Sequence, residues 1–271
     1  MIQPSQTHNL PRIWWCPTGP LSFLPIHAAG IYPVEKGDYH ICLTDYAISS
    51  YTPTVTALLV ASQKASQGAK EAVKILAVIQ SNTPGKSSLP GTEEELRIIR
   101  QLSVNHQILN TLEGSNATVE VVLSKIGQFS WVHLACHGKQ DIEDPTKSGF
   151  FLENGCLELS KIIEKSLPNA RFAYLSACQT ATGDEKQPDE VIHLAAGMLT
   201  AGYQSIIATM WSIEDDDAPL IANEVYSHLL ANNIPDSKKT ACALHVAMKS
   251  LHEKYNGTSF ASWVPFIHMG V

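Results

Sequence analysis

From Val73 onward, apolar runs of strand length alternate with segments whose apolar positions recur at helical spacing. VKILAVIQ (73–80) is continuous enough to be a buried strand. GTEEELRIIRQLS (91–103) follows as a helix, with Thr92 and Glu95 spaced as a capping box. QILNTLEG (107–114) supplies a short second strand, and NATVEVVLSKI (116–126) has helical spacing at Val119, Val122, Leu123 and Ile126. WVHLAC (131–136) and RFAYLSA (171–177) read as the third and fourth strands. DEVIHLAAGMLTAG (189–202) is a helix ending on glycine, and YQSIIATMW (203–211) is a fifth strand. Helices around 216–231 and 236–254 and a last strand in SWVPFIHMG complete the pattern. Such alternation predicts an α/β fold: a mainly parallel central sheet covered by helices on both faces. Before Val73 the pattern changes to short strands joined by turns and one helix over 54–69. The expected organisation is therefore an N-terminal β-rich part, 1–70, packed on the same sheet as an α/β part, 71–271, with a soft boundary at SQGAKE.

Composition narrows the function classes. The chain has 271 residues, enough to bury a substantial core. Its formal net charge of -7 argues against a nucleic-acid binder that neutralises phosphates. No run approaches the roughly 18 apolar residues that a membrane span requires, and the first residues lack the basic start and long apolar core of a signal peptide. The six cysteines (16, 42, 136, 156, 178, 242) show no C-x-x-C pair and sit mostly in apolar segments, as reduced thiols of a cytoplasmic protein do. In that compartment the sequons at Asn116 and Asn256 carry no glycan.

Three local patterns invite a chemical reading. SNTPGKSS after the first strand resembles a phosphate loop, but Gln80 stands where the motif needs its first glycine and Pro84 removes an amide; a plain connecting loop is expected. HLACH (133–137) holds zinc-ligand types, yet strand alternation puts His133 and His137 on one face and Cys136 on the other, so neither a metal nor another cofactor is expected. The third pattern is nucleophilic. Sites in parallel α/β sheets form beyond the carboxyl ends of the strands. His137-Gly138 closes the third strand and Cys178 the fourth. If the two strands are neighbours, an imidazole and a thiol face one crevice, and the imidazole promotes the reactive thiolate. Gly138 lets a substrate carbonyl approach closely, and the turn after Cys178 offers free amides. Cys136 has the parity of a core thiol; on the residues alone, Cys178 is either a nucleophile or a second buried thiol. His27, His193 and His268 lie in apolar segments and are expected to be packed or surface histidines.

WVHLACHG and YLSACQTATG resemble the histidine and cysteine motifs of CHAT domains, relatives of caspases and separase among the clan CD cysteine peptidases. The likeness continues through LAAGMLTAGYQSIIATMWSIEDDDA (194–218) and reaches PTGPLSFLPIHAAG (17–30) and WVPFIHMG (263–270). It implies a caspase-like three-layer α/β/α sandwich and a cysteine endopeptidase. Carried over, it makes Cys178 the nucleophile, His137 the general base or ion-pair partner, and the amides of Gly138 and Cys178 the oxyanion hole. Where caspases have a Q-A-C core this chain has Ser176-Ala177-Cys178, which removes the basis for aspartate specificity.

Acids crowd the expected rim: Asp141, Glu143 and Asp144 after His137, Asp184 and Glu185 after Cys178, and Glu214 to Asp217 after the fifth strand. One acid at the crevice floor would select lysine or arginine at P1. Asp215 is the first choice, with Trp211 walling the pocket, and Asp184 the second. The partners expected are a protein or peptide substrate and a regulatory protein or helical-repeat domain, since CHAT domains commonly end longer proteins with helical repeats; the little sequence before the first strand suggests an excised domain or control by another chain. Two rivals stand beside the peptidase: a catalytically silent scaffold acting through protein contacts, and a cysteine hydrolase of another acyl substrate.

Overall fold

The computed structural model describes residues 10–32, 41–67, 72–104, 106–141, 143–179, 191–231, 235–255 and 259–271, with the side chains of 177–179 and 191–193 left aside. In chain order the strands are β1 (Arg12–Trp15), β2 (Gly30–Ile31), β3 (Ile41–Cys42), β4 (Ile48–Tyr51), β5 (Ile75–Ile79), β6 (Leu109–Glu113), β7 (Trp131–Lys139), β8 (Gly149–Leu152), β9 (Gly155–Glu158), β10 (Phe172–Gln179), β11 (Ser205–Thr209) and β12 (Phe266–Gly270). The helices are α1 (Val55–Ser66), α2 (Gly91–Ser103), α3 (Val119–Lys125), α4 (Leu159–Glu164), α5 (Val191–Ala201), α6 (Ala218–Leu229), α7 (Thr240–Lys254) and α8 (Phe260–Trp263).

The main sheet runs in the order β1-β4-β12-β11-β10-β7-β5-β6. β11, β10, β7, β5 and β6 are mutually parallel; β12 lies antiparallel to β11. The apolar runs in β5 and β7 are continuous because both faces are covered. On one face Val132, Leu134 and Cys136 of β7 join Leu76, Val78, Ala173 and Leu175 against Val119, Val122, Ile162, Ala195 and Met198. On the other, Ile75, Trp131, Phe172 and Tyr174 pack against Ile221, Val225, Leu244 and Ala247. Ala77, Ile79 and Ala135 meet Leu96 of α2 on that same face. This is the three-layer sandwich the alternating pattern predicts, and Cys136 is the core thiol its parity requires.

Three features depart from the reading of the pattern. Between β7 and β10 the chain forms a hairpin, β8–β9, antiparallel to the end of β7 at Gly138↔Phe150, followed by α4. The capping box is not formed: the residue before α2 is Pro90, and the Thr92 hydroxyl donates to the Leu89 carbonyl at 2.7 Å. In the N-terminal part, β1 pairs in parallel with β4 and β4 with β12, extending the main sheet, while much of the remaining chain there is 3-10 turn.

Candidate active site

The carboxyl ends of β7 and β10 are adjacent, and in their parallel register Cys178 is the Cα partner of His137. The His137 side chain is 2 % exposed, and its Nε2 lies 2.8 Å from the carbonyl oxygen of Ser87. A carbonyl only accepts, so Nε2 carries the hydrogen and a neutral ring presents its lone pair at Nδ1. Nδ1 has no hydrogen-bond partner among the described residues.

The carbonyl that fixes this ring belongs to the loop of SNTPGKSS. Pro84 and Gly85 form its turn, with Gly85 at φ +76° and the Lys86 amide donating to Thr83 at 3.1 Å, a geometry that favours proline then glycine. The loop closes through the Leu89 amide on Ser81 at 2.8 Å. It is pinned to the β8–β9 hairpin by Gln80 Nε2 donating to Glu153 at 2.9 Å and by Lys86 Nζ 4.3 Å from the Phe151 ring centre. The connecting loop thus orients the histidine, a role its sequence did not announce because a backbone carbonyl leaves no residue signature.

Directly beneath lies a carboxylate the sequence reading placed elsewhere. Glu95 of α2 is 0 % exposed, and its Oε1 accepts the Ser176 hydroxyl at 2.7 Å. Its Oε2 is 3.3 Å from Nε2 of His133, at ion-pair distance but without the alignment of a hydrogen bond. The Tyr226 hydroxyl lies 3.2 Å from His133 Nδ1, and the His133 ring stacks on Tyr174 with centroids 4.8 Å apart. Burial first, and Glu95 second, push both phenols well above their ordinary range, so Tyr226 keeps its proton; with that proton donated to Nδ1, the neutral ring would turn Nε2–H towards Glu95. The signal for Glu95 was present: it shares with Ile99 and Ser103 the i, i+4, i+8 stripe that α2 buries.

Among the rim acids, Asp215 is held by α2. Its carboxylate accepts the Gly91 amide at 2.6 Å, where the free amides and positive end of the helix favour a negative charge. A Cβ at Gly91 would stand 2.3 Å from the Asp215 carbonyl oxygen, so glycine is what lets the two segments meet. Trp211 is 36 % exposed on the same loop. Asp141 is engaged locally by Lys139 and the Asp144 amide, and Asp144 by Thr146. Asp217 accepts the Tyr255 hydroxyl at 2.8 Å. Asp184, Glu185 and the Cys178 and His193 side chains lie outside the described residues. His27 is buried between the Tyr51 hydroxyl and the Val264 carbonyl, and His268 between Ser205 and Ser50, both packed histidines. Among the described residues no group of three or more metal-ligand types could hold an ion.

The sequence signature of the CHAT domain family matches residues 1–271. The chain belongs to the CHAT domain family. No curated protein matches its sequence. Among solved structures, the domain superposes on the Arg-specific cysteine proteinase gingipain R, with a TM-score of 0.58 at 13 % identity, covering 83 % of this chain and 54 % of that one. The complex of the pro- and mature domains of Porphyromonas gingivalis RgpB gives 0.56 at 12 % identity, covering 83 % and 55 %. The Saccharomyces cerevisiae separase–securin complex gives 0.58 at 14 % identity, covering 84 % of this chain and 14 % of the other. The CHAT domain therefore has the fold of these clan CD cysteine peptidases, and it spans about half the length of the gingipain chains it matches. No helix among the described residues is long and apolar enough to cross a membrane.

Proposed function

We propose that this CHAT domain is a cysteine endopeptidase with Cys178 as nucleophile and His137 as its acid–base partner. The observation that carries the reading is His137 itself: Nε2 is anchored on Ser87, Nδ1 is unpartnered among the described residues, and its register partner is Cys178. Strand alternation puts position 178 on the face of Tyr174 and Ser176, the face that carries His133 and His137. His137 Nδ1 takes the Cys178 thiol proton, and the thiolate attacks the scissile carbonyl carbon so that a C–S bond forms. The amides of Gly138 and Cys178 receive the oxyanion. Collapse breaks the C–N bond, and the proton held at His137 Nδ1 goes to the departing amine. Water, deprotonated at the same nitrogen, then hydrolyses the thioester and returns the thiol.

A basic P1 residue suits the acids at this edge. Asp215 with Trp211 on the loop after β11, and Asp184 after Cys178, are the residues proposed to read it. The likeness to an Arg-specific proteinase supports this, as the complexes with a pro-domain and with securin support control by a protein partner or a helical-repeat domain. Free thiols at Cys16, Cys42, Cys136, Cys156 and Cys242 fit the proposed cytoplasmic location.

The test is turnover of peptide libraries by the wild type and by Cys178→Ala and His137→Ala. Cleavage that both substitutions abolish supports the peptidase. Turnover of other acyl compounds alone points to a different cysteine hydrolase, and silence together with retained partner binding to a scaffold.

A further inference from the structure

The buried carboxylate of Glu95 takes no step in the proposed chemistry, yet it lies where the strands of the dyad meet α2. Ser176, whose hydroxyl it accepts at 2.7 Å, stands two residues before Cys178 on β10 and on the same face. His133, 3.3 Å from its other oxygen, stands four residues before His137 on β7, again on that face. All three side chains are buried, so their effect on a substrate passes through other residues.

The amino end of α2 governs the histidine. The loop before it supplies the Ser87 carbonyl that holds His137 Nε2 at 2.8 Å. That loop is bonded to the first turn of the helix. The Thr92 hydroxyl and amide donate to the Leu89 carbonyl at 2.7 and 3.2 Å, and the Glu93 amide donates to the Pro90 carbonyl at 3.1 Å. The contacts therefore close a ring. It runs from Cys178 along β10 to Ser176, across to Glu95, along α2 to Ser87, and across to His137, the register partner of Cys178.

Apolar packing alone would leave this ring loose. Leu96 against Ala77, Ile79 and Ala135, and Ile99 in the cluster of Ile75 and Trp131, are non-directional contacts that tolerate a small slide of the helix along its axis. A hydrogen bond of 2.7 Å to a hydroxyl on a central strand does not. An apolar pair at these positions would avoid the cost of burying a carboxylate; what the carboxylate adds is a fixed register.

We propose that Glu95 and Ser176 are positioning residues: their bond sets α2, and with it the Ser87 carbonyl, where His137 Nδ1 meets the Cys178 thiol. The proposal rests on the dyad of the peptidase reading and adds the group that holds its two members in step. A misplacement of about 1 Å is enough to cost on the order of a hundredfold in rate.

The dyad can be read without a peptide. Alkylation of Cys178 by iodoacetamide is followed by peptide mass spectrometry, which separates it from the other cysteines. Rates are taken at about pH 6.5 and about pH 9.5, with every variant well below its melting temperature. At the lower pH the thiolate depends on His137, whereas at the higher an ordinary thiol ionises unaided. Ser176→Ala and Glu95→Leu are expected to lose on the order of tenfold or more at the lower pH and to match the wild type at the higher. Glu95→Gln, which keeps an oxygen for the Ser176 hydroxyl, should stay close to the wild type. The double variant Ser176→Ala/Glu95→Leu should lose no more than either single one, because both remove the same bond. On a peptide that is cleaved, the loss falls on kcat with KM unchanged. A wild-type rate in Ser176→Ala, a loss of equal size at both pH values, or equal losses in Glu95→Gln and Glu95→Leu overturns the proposal while the dyad stands. A wild-type protein no faster at the lower pH than His137→Ala overturns the dyad, and the proposal with it.

Discussion

His137 is useful because its two nitrogens are treated differently. One is held on the Ser87 carbonyl and the other is left without a partner among the described residues, so the ring's orientation is set before substrate arrives. His137→Ala should lower kcat on any cleaved peptide by about 10²- to 10⁴-fold, the usual worth of a positioned acid–base group, and, because the ring is buried on the Ser87 carbonyl, should also cost about 1–3 kcal/mol of stability. Glu95 bears on stability too. It is fully buried and shared by Ser176 and His133, so Glu95→Ala leaves a hydroxyl and a ring without their acceptor. A loss of about 3 kcal/mol in urea unfolding is expected, and a smaller one for Glu95→Gln, which retains an oxygen for Ser176. Strand alternation made His137 legible and sent Cys136 to the core. Glu95 was misread because a glutamate three residues after a threonine at a helix start satisfies a local rule, and only the packing of α2 on the sheet reveals that this position points inward.

At the scale of elements, the loop after β11 and the start of α2 are one unit. Asp215 joins them through the Gly91 amide, and Gly91 permits the close approach. Asp215→Ala should cost about 1 kcal/mol as a lost helix-terminal acceptor, measured by chemical unfolding. If Asp215 also reads P1, the substitution lowers kcat/KM for basic-P1 peptides and leaves apolar-P1 peptides unchanged; a loss of stability alone assigns it to α2. The longer strands and helices were legible because both faces of the sheet are covered, which turns β5, β7 and β10 into apolar runs. The β8–β9 hairpin and α4 were not. GFFL and GCLE are four residues each and α4 six, too short for a period to declare itself. Their position depends on an antiparallel pairing with Gly138 that nothing local encodes.

Across the whole molecule, buried histidines bind the N-terminal strands to the α/β core. His27 bridges the Tyr51 hydroxyl on β4 and the Val264 carbonyl ahead of β12. His268 on β12 bridges Ser205 on β11 and Ser50 on β4. His245 of α7 is buried beside the Lys249–Asp45 ion pair, which ties α7 to the N-terminal part at 3.0 Å. Burial lowers the pKa of His27 to about 4 and of His245 to about 4, with Lys249 adding to the latter, and holds His268 well below its ordinary value. The sign follows from linkage: a histidine depressed in the folded state is protonated first in the unfolded one, so between its unfolded value near 6.5 and its folded value the unfolded chain binds more protons. Stability is then full above about pH 6.5 and falls as the pH drops through 5 towards 4. Each such group contributes on the order of 2 kcal/mol of this loss. Urea midpoints measured at pH 7 and pH 5 should differ accordingly, and His27→Gln should reduce the difference while lowering stability at pH 7. Because these histidines lie along the seam between β4, β12 and α7, the acid loss should appear in hydrogen exchange of β1 and β4 before that of β7 and β10. Uniform exchange across the sheet at pH 5 would mean that the seam and the core unfold together.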